Sequence, residues 1–233
     1  MQIMVISDLH LGVPQEHSDI FGWKSADFIA TMESVITQYK VETVILNGDI
    51  YELYKHSFDE IARHNSEILA YLYSKKPIYI KGNHDIFNNF GKESLIIRNS
   101  AGQTIYIEHG HNCDFLNGTR IGRLFGKWIY LLIKVLCRYE WFKKAYLHLI
   151  TFDDEVHRIP RKYNSLRYLN YALNLLRKYD VVILGHTHKM EYHKTYYLNK
   201  KKRYFNCGSC SLGRFQAIIL DTETLWYETV KIN

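Results

Sequence analysis

The chain has 233 residues, 47% hydrophobic and 23% charged, with thirty Lys/Arg against twenty-four Asp/Glu for a net charge of +6. That length buries a full core in one domain with room for an insertion. Met1 to Ile6 reads as a strand and not as a signal peptide, and the apolar run Trp128 to Ile133 is far too short to span a bilayer. Four scattered cysteines with a single C-x-x-C lack the second pair a zinc ribbon needs, so they read as buried thiols of a reducing, cytoplasmic compartment.

In chain order, a first strand, Ile3 to Ile6, ends in Ser7-Asp8-Leu9-His10-Leu11-Gly12. Asp8 and His10 alternate, so both can face one side where the strand gives way to a loop. A helix follows, with Ser25 as its expected N-cap and Phe28, Met32, Val35, Ile36 and Tyr39 at helical spacing. A second strand, Thr43 to Leu46, runs into Gly48-Asp49-Ile50-Tyr51-Glu52, and one helix is expected from about Phe58 to Tyr73. The third strand, Ile78 to Ile80, ends at Gly82-Asn83-His84-Asp85, and the fourth, Thr104 to Ile107, at Glu108-His109-Gly110-His111.

From about Asn112 to Tyr163 no strand-then-ligand unit occurs, and the segment reads as helical and aromatic-rich. A helix from roughly Ser165 to Tyr179 leads into Val181-Val182-Ile183-Leu184-Gly185-His186-Thr187-His188, a buried strand that presents two histidines beyond a glycine. The tail reads as antiparallel strands, with Lys200 to Arg203 as a solvated hairpin tip. Strands alternating with helices predict a layered α/β domain, whose ligands gather where the carboxyl ends of the strands converge.

Those ends carry Asp8, His10, Asp49, Asn83, His84, His109, His111, His186 and His188, which include six of the twelve histidines. Imidazole nitrogens mixed with hard oxygens suit Mn, Fe, Zn or Ni better than Mg or Ca. Five separate strand ends built the same way make chance placement a poor explanation.

In that order, Asp8-x-His10, Gly48-Asp49, Gly82-Asn83-His84-Asp85, His109 and Gly185-His186-x-His188 resemble the five motifs of the calcineurin-like metallophosphoesterases. The resemblance implies an α/β/β/α sandwich, with residues 1–111 and 164–233 as core and 112–163 as a helical cap insertion. It implies two divalent transition-metal ions, Mn2+ first among the candidates, and a phosphate-containing anionic substrate. One ion would be held by Asp8, His10, Asp49 and His188, the other by Asp49, Asn83, His109 and His186, with Asp49 bridging. His84 would sit beside the substrate phosphate, oriented by Asp85. His111 stays open between a partner of the ligands, a substrate contact and a purely structural residue. Two cations can each take a phosphate oxygen and hold a bridging water acidic enough to supply hydroxide for in-line attack.

Within the family, Asp49-Ile50-Tyr51-Glu52, the length and the basic insertion are similar to the UDP-diacylglucosamine pyrophosphohydrolases of lipid A synthesis, although those usually carry Arg in place of His84 and Asp in place of His111. A generic nucleotide or nucleic-acid phosphodiesterase, or a nuclease, is the neighbouring reading. A non-catalytic metal-binding scaffold is the reading from another class, but a scaffold has no physical reason to keep an acid at His84.

The insertion holds the positive excess. Between Arg120 and Ile150 lie seven basic residues and one acid. Arg123, Lys127, Lys134 and Arg138 fall on one face of a helix, beside an apolar surface of Leu124, Trp128, Leu131, Leu132 and Val135. This predicts a cap whose Arg123 and Lys127 meet substrate phosphate and whose 121–150 stretch touches lipid or the inner face of the membrane, with nucleic acid as the other anionic partner.

Overall fold

Strand β1 (Gln2–Ile6) points Ile3 and Val5 one way and Met4 and Ile6 the other, and all four are fully buried. A strand hydrophobic on both faces needs a layer on each side. The computed structural model supplies both, and describes residues 1–13, 20–85, 90–114 and 162–232 with a few positions between 128 and 145. The chain divides into two units, residues 1–110 with 172–233, and residues 111–171.

The first unit holds two mixed five-stranded sheets. One has the order β10-β9-β1-β2-β3, in which β1, β2 (Thr43–Asn47) and β3 (Ile78–Ile80) are parallel and β9 (Phe215–Asp221) and β10 (Tyr227–Ile232) are antiparallel additions. The other has the order β4-β5-β6-β8-β7, with β5 (Thr104–Ile107), β6 (Val181–Leu184) and β8 (Lys200–Cys207) parallel, and β4 (Leu95–Arg98) and β7 (Met190–Tyr197) antiparallel at the two edges. Ile3, Val5 and Ile45 of the first sheet meet Ile105, Ile107, Val181, Ile183 and Phe205 of the second in one dry cluster. Met4, Ile6, Val44 and Leu46 pack the opposite face against α1 (Ser25–Tyr39), α2 (Phe58–His64) and α3 (Ser66–Ser74) through Phe28, Met32, Ile61, Ile68 and Leu72. Helix α4 (Lys162–Leu176) precedes β6 and buries Ala172 and Leu176. Two mixed sheets flanked by helices make the α/β sandwich that the motif order implies.

Several local expectations are corrected. Lys24, not Ser25, is the N-cap of α1, and no side chain caps that end. The single helix expected over Phe58 to Tyr73 breaks at Asn65, whose side-chain amide donates to the carbonyls of Ile61 (2.9 Å) and Gly12 (2.7 Å). An asparagine that bonds the backbone in this way competes with the helix it interrupts. Lys200 to Arg203 is not a hairpin tip but the first half of β8, which pairs parallel to β6 as well as antiparallel to β7.

The second unit opens with a 3-10 turn, His111–Cys113, in which His111 is buried. Nearby, Arg167 faces Asp114 at 3.9 Å, and its carbonyl accepts from the Cys113 thiol. Arg123 and Lys127 lie outside the described residues. Among the described residues no helix is long and apolar enough to cross a membrane.

Candidate metal centre

The carboxyl ends of β1, β2 and β3 in one sheet and of β5 and β6 in the other deliver every strand-end residue named above except His111, which belongs to the second unit. Main-chain bonds continue past the strands and lock their ends together: the Asp8 amide donates to Gly48 (3.0 Å), His10 to Asp49 (2.9 Å) and Leu11 to Ile50 (2.8 Å). The turns themselves are tight. Asp8, His10, Asp49, His186 and His188 all have positive φ, between 51° and 71°. Left-handed backbone costs an L-residue about 1–3 kcal/mol, and such strain persists where the surroundings over-determine it.

Two glycines make the approach possible. A Cβ at Gly82 would stand 2.1 Å from Oδ1 of Asp49, and one at Gly48, where φ is +82°, would stand 2.5 Å from the ring of His109. The Asn206–Ser209 turn lies below, with the Asn206 amide donating to Gly185 O (2.8 Å) and the Ser209 hydroxyl to Asp8 O (3.3 Å). Cys207 and Cys210 are buried free thiols, and burial is the main force pushing Cys210 up to about 12. They serve as packing, not redox chemistry.

Three groups of donors lie within 4.8 Å of one another: Asp8, His10 and His188; His10, Asp49 and His84; and Asp49, His109 and His186. The groups overlap through His10 and Asp49, so they form one continuous strip. His188 Nε2 is 3.2 Å from Asp8 Oδ1 and 3.2 Å from His10 Nε2, and His109 Nε2 is 3.1 Å from Asp49 Oδ2. Nδ1 of His109 is 2.8 Å from Asn47 O, which fixes the ring with Nε2 toward the carboxylates. Asn83 is buried, and among the described residues its Oδ1 has no hydrogen-bond partner. A buried amide oxygen without a donor is costly unless a cation takes its lone pairs. Carboxylates, imidazoles and that orphan oxygen are therefore a donor set that fits divalent metal.

The electrostatics without metal are those of interlocked opposite charges. Burial works to raise the Asp8 carboxyl, but the His109 and His188 charges outweigh it and hold it at about 2. Burial likewise opposes charge on Asp49, and His109 and His84 still keep it well below the usual carboxylate range. Burial acts to lower His109, yet Asp49 and Asp8 carry it up to about 10. Burial prevails at His10, whose pKa is lowered despite its contact with Glu52.

His84 stands at the edge of this strip and is partly exposed. Its Nδ1 is 2.7 Å from Oε1 of Glu52, and its ring lies against Tyr54. Against the desolvation of burial, Glu52 and then Asp49 raise His84 to about 9. The carboxylate that orients His84 is thus Glu52, not Asp85. Asp85 instead holds the loop, accepting from the amides of Ile50 (2.8 Å) and Gly82 (2.5 Å) and from the Tyr79 hydroxyl. Burial and the nearby charge of Asp49 push its carboxyl up to about 6. Glu52 lies three residues beyond Asp49 on the same strand-end turn, but its spacing alone does not mark it as the partner of His84.

The sequence pattern of the family described as calcineurin-like phosphoesterase matches residues 1–190. No curated protein matches the chain by sequence. Among solved structures, a dimetal phosphatase from Danio rerio is similar over 100% of this chain and 99% of its own, at 12% identity and a TM-score of 0.50. An archaeal phosphodiesterase is similar over 100% of both chains, at 18% identity and a TM-score of 0.44. Zinc-bound Vps29 from Entamoeba histolytica is similar over 100% of both, at 16% identity and a TM-score of 0.41. At 12% identity the likeness to the dimetal phosphatase is one of fold. With most of its length matched and a divalent-metal donor set at the ends of its parallel strands, the chain belongs to the calcineurin-like phosphoesterase family and is a metal-dependent hydrolase of phosphate esters.

Proposed function

We propose that the chain cleaves a phosphodiester or diphosphate bond in a nucleotide-linked lipid of the UDP-diacylglucosamine kind, working at the inner face of the membrane. The observation that carries the lipid part is in the second unit. Trp128 and Leu132, one helical turn apart, are 72% and 59% exposed, and Trp141 is 71% exposed. They lie within the segment that holds the chain's positive excess. Large apolar side chains beside cations suit a ligand or interface with acyl chains next to anionic headgroups.

Asp8, His10, Asp49 and His188 would hold one ion, and Asp49, Asn83, His109 and His186 the other; the mixed nitrogen and oxygen donors suit manganese, iron, zinc or nickel, of which manganese is taken first from the family resemblance. Such ions supply positive charge to the phosphoryl oxygens and acidify water. His84, kept charged by Glu52, donates a proton or a hydrogen bond toward the phosphoryl group or the leaving oxygen. Asp85 fixes the turn that presents Asn83 and His84. The residues of 112–163 form a cap in which Arg123 and Lys127 meet the substrate phosphates.

Hydrolysis assays with Mn2+ on a UDP-diacylated sugar, the same nucleotide sugar without acyl chains, and single-stranded DNA test this reading. A kcat/KM at least about tenfold higher for the acylated substrate supports it. Equal rates with and without acyl chains refute the lipid assignment, and a preference for DNA that falls steeply with salt replaces it with a nuclease.

A further inference from the structure

The second sheet carries another concentration of charge at the end away from the metal ligands. The amino ends of β5, β6 and β8, with the last residue of β4 and the β7–β8 hairpin, enclose a cavity of about 330 Å3. Among the described residues, Arg98, Arg177, Lys178, Lys200 and Lys202 line it against a single carboxylate, Asp180, for a net charge of +4. From Asp180 to Gly185 the extended chain of β6 covers roughly 16 Å, so the cavity and the metal ligands sit at opposite ends of one strand.

Asp180 offsets only one member of this cluster, because its oxygens are already engaged. One faces Lys202 Nζ at 2.9 Å, and the other accepts from the amide (2.8 Å) and hydroxyl (3.1 Å) of Thr104. Lys202 is only 5% exposed and also donates to Tyr179 O, so it forms a fixed floor. Among the described residues Arg98, Arg177, Lys178 and Lys200 have no carboxylate within ion-pair distance.

The bland explanation covers half of these. Arg177 and Lys178 follow the carboxyl end of α4, where the helix dipole attracts cations. It leaves out Arg98 and Lys200, which arrive from two different strands. Lys200 closes the β7–β8 hairpin opposite Tyr197, across a two-residue turn in which Leu198 and Asn199 both have positive φ (49° and 59°). A turn of that type fixes the strand ends rigidly, so Tyr197 and Lys200 are held at the cavity. Four uncompensated cations brought together from separate elements repel one another, and that cost is removed by a bound anion.

We propose that this cavity is a second ligand site, independent of the metal centre, that takes a chain of two or more linked phosphates, free or as the tail of a nucleotide. One phosphate group carries about −1.5 to −2 and leaves half of the positive charge uncompensated, whereas two or three linked groups match it. The cavity is at the small end of the range for ligand sites, and its lining is mostly polar, which suits a phosphate chain better than an acyl or aromatic group.

Calorimetric titration of the metal-replete protein with inorganic tripolyphosphate, in excess Mg2+ and at physiological salt, tests this. The parent should show a site that survives Asp49→Asn and that Arg177→Glu/Lys200→Glu weakens by about tenfold or more. Both of those cavity residues are exposed, so the variant should fold, and Arg177→Lys/Lys200→Arg should bind like the parent. Hydrolysis of a small diester by both cavity variants should be unchanged. Displacement by ATP but not by pyrophosphate assigns the site to a nucleotide tail, and displacement by both assigns it to any phosphate chain. Identical isotherms for the parent and the glutamate variant, or binding no tighter than that of sulfate, would overturn the proposal.

Discussion

Glu52 places one carboxylate oxygen 2.7 Å from Nδ1 of His84 and the other 3.4 Å from Nδ1 of His10. One buried acid thus touches both the imidazole at the edge of the site and one inside the donor strip. Glu52 is itself held well below the usual glutamate range, because the charges of His84 and Lys55 outweigh the effect of burial. It is ionised throughout the working range and raises the proton affinity of His84.

A pH consequence follows. If charged His84 serves the reaction, activity falls as pH rises through the His84 pKa, which stands near 9 in the metal-free protein. Glu52→Gln removes the main force that raises it, so the alkaline limb of kcat should move to lower pH, and kcat at neutral pH should fall about tenfold to a hundredfold. Asp85→Asn, which alters the loop but not the His84 partner, should leave that limb in place. An unchanged limb in Glu52→Gln, with full metal content, would separate Glu52 from His84.

His84→Ala should lower kcat on a diester with an alkyl leaving group by about 10²–10⁴-fold while metal content is retained. A phenolic leaving group scarcely needs protonation and should hide much of the loss. Equal rates of parent and variant on the alkyl diester would remove His84 from the chemistry.

Metal binding should release protons. His109 is raised to about 10 without metal, so at neutral pH it is protonated, and a ligand imidazole must be neutral. Affinity should therefore rise with pH, and the heat of binding should vary with the ionisation enthalpy of the buffer. Stability of the metal-free protein runs the other way. The raised His109 contributes fully below about pH 6.5 and loses its contribution as pH climbs toward 10, while the depressed Asp8 contributes above about 3.8 and loses it as pH falls toward 2. Heats that do not depend on buffer would contradict the interlocked pairs.

Much of this site was legible because glycine, aspartate and histidine recur at the ends of short apolar strands, and a parallel sheet brings such ends together. Glu52 was missed because nothing in its spacing distinguishes it from a surface acid; only the fold turns it inward against His10 and His84. β4 escaped notice as an edge strand of four residues, Leu95–Arg98, with Ile96 facing solvent. Asn65 broke a helix that its apolar periodicity favoured, since a local side-chain bond outweighed the pattern. Lys200 to Arg203 read as a solvated turn because a charge run carries no sign of which member is buried, and Lys202 is.

The proposed cap role of residues 112–163 is tested by charge reversal. Arg123→Glu/Lys127→Glu should raise KM for an acylated nucleotide substrate by about tenfold or more while KM for a small generic diester barely moves. Equal KM values for parent and variant on both substrates, with normal folding, would leave the segment as an ordinary packed helix.

Asp49 belongs to two of the three overlapping donor groups, one shared with His10 and His84 and the other with His109 and His186. Elemental analysis of protein purified without chelators, beside Asp49→Ala, therefore bears most directly on a two-ion centre. Two divalent ions per parent chain are expected, with the alanine variant losing most of both and retaining its fold by circular dichroism. One ion per parent chain, with His109 and His186 unliganded in a metal-bound crystal structure, would contradict it.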